Sequence, residues 1–263
     1  MPSTDALDER DGRRTSVDVL SREEFLAFFA SEYAPGQHVS LLGPTQRGKT
    51  TLSHEMLARV ISPEHKCVLL AGKPPGRDPV MNSAAKKLNL RIVEEWPPGW
   101  HYKDRNNNGY VLRPRHSMRD LRADRENIAA NFRRAMVSNY SSRKPVITVA
   151  DEAHLVQNEY KLKEEYEAPL MRGAPINAQW SLIQRGRFMS YLAYDAPEWF
   201  LIAYDPDVAN QRRYAEMGGV EPQFILATLR TLKTARGNDG RSTVSEFLCV
   251  RRSGPELFIV SIA

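Results

Sequence analysis

Residues 43–50 read Gly43-Pro44-Thr45-Gln46-Arg47-Gly48-Lys49-Thr50, a full match to the phosphate-binding pattern G-x-x-x-x-G-K-[ST]. The flanks agree with it. Ahead lies Gln37-His38-Val39-Ser40-Leu41-Leu42, a short apolar run that reads as a buried strand, and behind it Leu52, Met56, Leu57 and Val60 recur at helical spacing. In a strand, glycine loop and helix, backbone N–H groups wrap a polyphosphate while the helix N-terminus faces its charge. Gly43 and Gly48 free the backbone for turn dihedrals and close approach to the phosphates. Lys49 then reaches the β- and γ-phosphates and the Thr50 hydroxyl ligates Mg²⁺, so residues 43–51, Thr51 included, are the expected ATP-binding set.

The complementary half of such a site is Val146-Ile147-Thr148-Val149-Ala150-Asp151-Glu152-Ala153-His154. An apolar β-branched run ending in Asp-Glu has the form of a Walker B strand, with Asp151 facing the metal and Glu152 the water that attacks the γ-phosphate. Phosphoryl transfer needs the metal held, a water aimed and charge neutralised, and two adjacent acids at a strand's carboxyl end supply the first two. Alone, such acids also serve as helix caps. Beside the phosphate loop they point to nucleotide hydrolysis.

The chain has 263 residues, 41% apolar and 26% charged, the composition of a soluble globular protein. It is read as one α/β domain over 21–263 behind a flexible leader at 1–20. No run approaches the ~20 apolar residues of a membrane span, and the first residues lack a secretory apolar core, which suits a cytoplasmic protein. Cys67 and Cys249 lie in strand-like runs and read as buried, reduced thiols. The net charge of +5 is uneven. From His101 to Lys144, eleven Lys and Arg stand against four acids, a composition that fits either a phosphate backbone or a solvated helix face.

Strand candidates fall at 37–42, 66–71, 90–95, 110–112, 146–150, 177–183, 199–204, 244–250 and 256–261. Helical patterns alternate with them at 50–60, 78–88, 118–140, 155–170, 206–217 and 222–235. Ser21 and Glu24 form a capping box for another helix over 21–31. Strands separated by helices predict a mostly parallel sheet flanked by helices, with the last two strands as an antiparallel edge hairpin. Asn106-Asn107-Asn108-Gly109 reads as a loop and a mobile surface insertion.

Lys49 and Asp151 are 102 residues apart, room for an extra strand between the phosphate-loop strand and the Walker B strand. Asn177-Ala178-Gln179-Trp180-Ser181-Leu182-Ile183 is a third apolar strand. Gln184 at its tip, 33 residues past Asp151, suits a γ-phosphate sensor; as a surface residue it would simply open a loop.

The run Leu170-Met171-Arg172-Gly173-Ala174-Pro175-Ile176-Asn177, then Trp180-Ser181-Leu182-Ile183-Gln184-Arg185, resembles HerA–FtsK ATPases, where an Arg-Gly/Ala turn leads into a strand ending in Thr-Gln-Arg-Pro. Trp199-Phe200-Leu201-Ile202-Ala203-Tyr204-Asp205 and Arg213-Tyr214-Ala215-Glu216-Met217-Gly218-Gly219-Val220 are similar to that family's next strand and the helix closing in Gly-Gly, so the resemblance spans about residues 35–235. Ile183 and Gly186 stand where Thr and Pro are usual, which bears on the setting of the sensor loop. The resemblance implies a RecA-like P-loop NTPase that moves or packages double-stranded DNA as a homo-oligomeric ring, a hexamer or pentamer, at the phage or mobile-element end of the family. It also implies an arginine acting across the subunit interface; Arg172 comes first, then Arg187 and Arg185, each of which would otherwise pair with a surface acid. An ATP-dependent switch that recruits a partner without moving DNA is the alternative. Asp151-Glu152-Ala153-His154 also spells the DEAH helicase signature, but 33 residues leave no room for a second RecA-like domain before the Gln184 segment.

Overall fold

The computed structural model describes residues 17–74, 79–99, 106–172, 176–184, 186–216, 220–236, 243–254 and 256–262. The strands are β1 (Asp18–Leu20), β2 (Val39–Leu42), β3 (Lys66–Leu70), β4 (Arg91–Val93), β5 (Gly109–Leu112), β6 (Val146–Ala150), β7 (Asn177–Ile183), β8 (Trp199–Ala203), β9 (Thr234–Arg236), β10 (Thr243–Ser245), β11 (Phe247–Arg251) and β12 (Glu256–Val260). The helices are α1 (Arg22–Glu32), α2 (Lys49–Val60), α3 (Pro79–Lys87), α4 (Leu121–Tyr140), α5 (Lys163–Arg172), α6 (Leu192–Asp195), α7 (Val208–Ala215) and α8 (Pro222–Thr231).

Ten strands form one sheet in the order β1-β12-β11-β8-β2-β7-β6-β3-β5-β4. From β8 to β4 every neighbour is parallel, and within this sheet, among the described residues, only β11 runs antiparallel to its partners, β8 and β12. The α/β class, the parallel sheet and the C-terminal hairpin are as expected from sequence. The hairpin is not outermost: β1 adds in parallel beyond β12, drawing residues 18–20, expected in the leader, into the sheet.

Helices cover both faces, so the central strands are buried on both sides rather than on alternate residues, and all seven residues of β7 are buried, Asn177, Gln179 and Ser181 included. Strand geometry sends alternate residues to opposite faces. On one face α1, α2 and α3 pack over Leu41, Leu69, Val111, Val149 and Leu182. On the other, α4, α5 and α8 pack over Leu42, Leu70, Leu112, Ala150 and Ile183. Fully burying one such side chain is worth about 1.5–3 kcal/mol, so a one-residue register slip in any central strand would be strongly disfavoured. The Ser21–Glu24 capping box is present, with Glu24 N–H donating to Ser21 Oγ at 3.2 Å and Ser21 N–H to Glu24 Oε2 at 2.8 Å.

Three local expectations change. The Asn106–Gly109 segment is not a loose insertion: Asn107 is buried and its Oδ1 accepts from Lys66 Nζ at 2.8 Å. Gly109 there has φ +137° and passes so close to Cys67 that a Cβ would overlap the Cys67 carbonyl oxygen. The helix expected over 155–170 starts as a π-helical turn at Leu155–Glu159 and resumes as α5 only at Lys163. The strand expected over 244–250 is divided at buried Glu246, whose Oε2 accepts from Lys233 N–H at 2.8 Å and closes the small β9–β10 ribbon.

Candidate functional site

The carboxyl ends of β2, β7, β6 and β3 lie side by side, and every central residue of the candidate site projects from this edge. That is where an open parallel sheet with helices on both faces places its ligand crevice. Between β2, which precedes the glycine loop, and β6, which ends at Asp151, lies the single strand β7, so the extra strand inferred from the 102-residue separation is the one that carries Gln184.

The phosphate loop is shaped by its glycines. Gly43, at φ +137°, runs so close to β8 that a Cβ would lie 2.9 Å from Ala203 Cβ. Gly48 takes φ +77° as the residue before α2, a left-handed conformation that costs other residues about 1–2 kcal/mol. Thr45 and Gln46 are exposed at the tip. Arg47 is tied sideways, its Nη1 donating to Thr234 Oγ1 at 2.7 Å and its guanidinium lying 6.0 Å from the Tyr204 ring centre.

Lys49 is buried and turns back on its own loop, donating from Nζ to Gly43 O and Pro44 O, both at 2.6 Å. Burial depresses its pKa to about 8, against the opposing pull of the Asp151 and Asp205 carboxylates. Thr50 Oγ1 donates to Asp151 Oδ1 at 2.9 Å across 101 residues of sequence. Glu152 Oε1 accepts from Gln184 Nε2 at 3.2 Å and from Lys73 Nζ at 2.9 Å. Lys49, Thr50, Asp151, Glu152 and Gln184 are thus brought together, as expected from the sequence.

Two members of the site follow from strand order instead. Lys73 leaves the end of β3, which pairs directly with β6. Asp205 follows β8, the other neighbour of β2; it is 3% exposed and accepts from Asp207 N–H, Asn210 Nδ2 and Tyr214 Oη at 2.9, 2.9 and 3.1 Å. A Gly-Lys pair at a strand's carboxyl end was the one local signal that marked Lys73. Asp205 had none beyond closing an apolar run.

The π-helical turn after Glu152 is braced against the segment following β7. Gln157 Oε1 accepts from Ser190 N–H at 3.2 Å, and Asn158 Nδ2 donates to Phe188 O at 3.2 Å. The turn after Asp151-Glu152 and the chain beyond Gln184 are therefore linked by bonds as well as by sheet register. Single π turns are frequent at functional sites.

Arg172 is not near these groups. It ends α5 on the exterior, five residues before β7 begins, and the seven residues of β7 span roughly 20 Å from there to the site edge. It borders a groove of about 330 Å³ with exposed Val137 and Met171 and the acids Glu164, Glu165 and Glu167. Arg185 and the side chain of Arg187 lie outside the described residues.

Part of the basic run is tied down. Arg115 pairs with Glu94, Arg122 Nε with Glu126 at 3.0 Å and Arg133 Nε with Glu165 at 2.7 Å, while Arg113 is buried against Asn82. Lys103 and Arg105 lie outside the described residues. Arg119 just before α4, Arg125 near its start, and Arg143 and Lys144 after it are exposed. Cys67 and Cys249 are unpaired and fully buried in β3 and β11, and burial pushes the Cys67 thiol up to about 12. Among the described residues no helix is long and apolar enough to cross a membrane.

No family model and no curated protein matches the chain. Solved structures do. B204, the DNA-packaging ATPase from Sulfolobus turreted icosahedral virus, is 13% identical with a TM-score of 0.55, over 87% of this chain and 98% of that one. The genome-packaging NTPase B204 from Sulfolobus turreted icosahedral virus 2 matches with a TM-score of 0.55 in complex with sulfate, at 11% identity over 87% and 98% of the two chains. In complex with AMPPCP it matches with a TM-score of 0.52, at 14% identity over 86% and 98%. The fold is that of a P-loop NTPase.

Proposed function

We propose that this chain is an ATPase of the HerA–FtsK type, whose turnover moves or packages double-stranded DNA through a homo-oligomeric ring. One observation carries the reading. Lys49, the Thr50–Asp151 pair and the Glu152–Gln184 pair converge on one sheet edge although sequence scatters them over 136 positions, from Lys49 to Gln184. The shared fold with a DNA-packaging ATPase and with a genome-packaging NTPase in complex with AMPPCP supports it.

In this reading Lys49 gives up the two loop carbonyls for the β- and γ-phosphates, exchanging neutral acceptors for charged ones. Thr50 Oγ1 and Asp151 Oδ1 are hard oxygen donors 2.9 Å apart, a donor set that fits Mg²⁺. Bound there, the ion would offset charge on the phosphates. Glu152 takes the proton of the attacking water as the bond between the γ-phosphorus and the bridging oxygen breaks, leaving ADP and phosphate. Gln184, bonded to the same carboxylate, holds it toward β7 and can report whether a γ-phosphate is present. Arg172, remote from its own site and exposed, is free to serve a neighbouring subunit's site.

The ion pairs of Arg115, Arg122 and Arg133 within the basic run favour a second reading, an ATP-driven switch that recruits a partner without moving DNA. Steady-state ATPase assays with and without random-sequence duplex DNA, with mass by light scattering with and without ATP, separate the two. The motor reading expects DNA to accelerate turnover in an assembled ring. An assembled, ATP-hydrolysing protein indifferent to DNA would favour the switch.

A further inference from the structure

The turn that follows β7 is gripped by two tyrosines. Gly186, two residues beyond Gln184, is buried and opens a 3₁₀ turn over Gly186–Phe188. Tyr194 Oη donates to the Gly186 carbonyl oxygen. The Tyr214 ring closes on the same residue from another direction. A Cβ on Gly186 would lie 2.8 Å from Tyr194 Oη and 3.0 Å from Tyr214 Cε1, so both rings rest directly against this backbone.

Each tyrosine is anchored in turn to the phosphate-loop side of the site. Tyr194 belongs to α6, where Ala193 O accepts from Ser40 Oγ of β2 at 2.9 Å in a buried bond. Tyr214, on α7, donates from Oη to Asp205 Oδ2 at 3.1 Å. Asp205 is close enough to Lys49 for its charge to raise the ammonium's pKa against the burial that lowers it. Burial raises the pKa of both phenols, so both hydroxyls stay protonated donors. Two connections therefore run to the turn after β7, one from β2 and one from the segment after β8.

What they can control is the reach of Gln184. Its bond to Glu152, at 3.2 Å, stands at the long end of the normal range, and one residue separates it from Gly186. A shift of the turn by a few tenths of an ångström would part the two side chains. The bonds from Gln157 and Asn158 attach at Ser190 and Phe188, further along the segment.

We infer that Tyr194 and Tyr214 are positioning residues that clamp Gly186 and thereby hold Gln184 to Glu152. The inference rests on the ATPase reading. In it, the groups that receive the phosphates and the groups that act on the water keep their spacing through these two rings as well as through sheet register.

The test uses the full chain with Mg-ATP. Glu152→Gln first decides the underlying reading, since wild-type turnover that this variant abolishes establishes hydrolysis at the site. Wild-type protein without such turnover would sink that reading and the inference together. Tyr194→Phe removes one hydroxyl and should lower kcat about tenfold, inside the roughly 10²-fold that an ångström of misplacement can cost. ATP affinity should stay unchanged, because Lys49 and the glycine loop are untouched. Coupling separates positioning from general support of the fold: in a Gln184→Ala background Tyr194→Phe should slow turnover no further. Tyr214→Phe, which keeps its ring against Gly186 and frees only the Asp205 anchor, should give a smaller loss with the same dependence on Gln184. The inference is overturned if Tyr194→Phe leaves kcat unchanged or weakens ATP binding as much as it slows turnover. It is overturned too if the loss from either tyrosine is as large in Gln184→Ala as in wild type, or if Gln184→Ala itself turns over at the wild-type rate.

Discussion

Two strand-to-helix turns open at the same edge of the sheet, and each carries Gly-Lys: Gly48-Lys49 between β2 and α2, and Gly72-Lys73 between β3 and α3. Their lysines live differently. Lys49 is buried, bonded to neutral carbonyls, and depressed to about 8 because burial outweighs the carboxylates nearby. Lys73 is part-exposed and paired with a carboxylate. The glycines differ as well. Gly48 is favoured by its backbone, at φ +77°, whereas Gly72 is crowded by a neighbour, Tyr160. The same dipeptide therefore makes a buried lysine bonded to its own loop in one turn and a part-exposed lysine paired with a carboxylate in the other, according to the strand beside it.

Both turns keep their cations within one chain, so the sharpest way to break the comparison is to remove a cation that neither supplies. Arg172→Ala should leave ATP binding nearly intact and reduce turnover about 10³–10⁵-fold, the range for arginines that complete a neighbour's site. Mixing Arg172→Ala with Glu152→Gln protein should recover part of the activity in a coupled ATPase assay, because some interfaces then pair an intact Glu152 with an intact Arg172. Co-assembled mixtures that stay inactive would remove Arg172 from this role.

Glu152→Gln probes the group with which the second turn's lysine pairs. Turnover should fall about 10²–10⁴-fold, the usual contribution of a positioned general base, while equilibrium binding of a fluorescent ATP analogue persists. Near wild-type turnover would show that Glu152 does not act on the water.

The first turn can be read by pH. Phosphate favours the charged form of Lys49, so above the empty-site pKa of about 8 binding takes up a proton. ATP affinity should weaken as pH rises past that value, approaching about tenfold per unit, and be independent of this group below it. Lys49→Met should bind more weakly and lose that dependence in titrations between pH 7 and 10. A profile identical to wild type would show that Lys49 is not the group responsible.

The smallest effect compares the glycines. Gly72→Ala places a Cβ against Tyr160 Oη, an overpacking worth about 1 kcal/mol where one ring can shift, hence a melting temperature lower by about 2–4 °C. The same change in Gly72→Ala/Tyr160→Phe should be smaller, because the clashing oxygen is gone. Equal losses in both backgrounds would mean that the hydroxyl does not set the fit.

What the amino-acid sequence determined was whatever is contiguous along it. The phosphate loop, the Asp151–Glu152 strand end and the Gln184 strand are each a run of fewer than a dozen residues whose periodicity and terminal groups report their own geometry. The parallel α/β class followed from their alternation with helices. Strand order decided the rest. Lys73 meets Glu152 because β3 pairs with β6, and Asp205 stands by the phosphate loop because β8 pairs with β2. The π turn after Glu152, the burial of Asn107 and the addition of β1 beyond the hairpin all depend on surfaces supplied by distant segments. Local sequence fixes dihedral preferences and the pattern of apolar faces. Which strands become neighbours is settled only when those faces are buried together, and that choice turned one Gly-Lys into a candidate phosphate ligand and the other into its glutamate's partner.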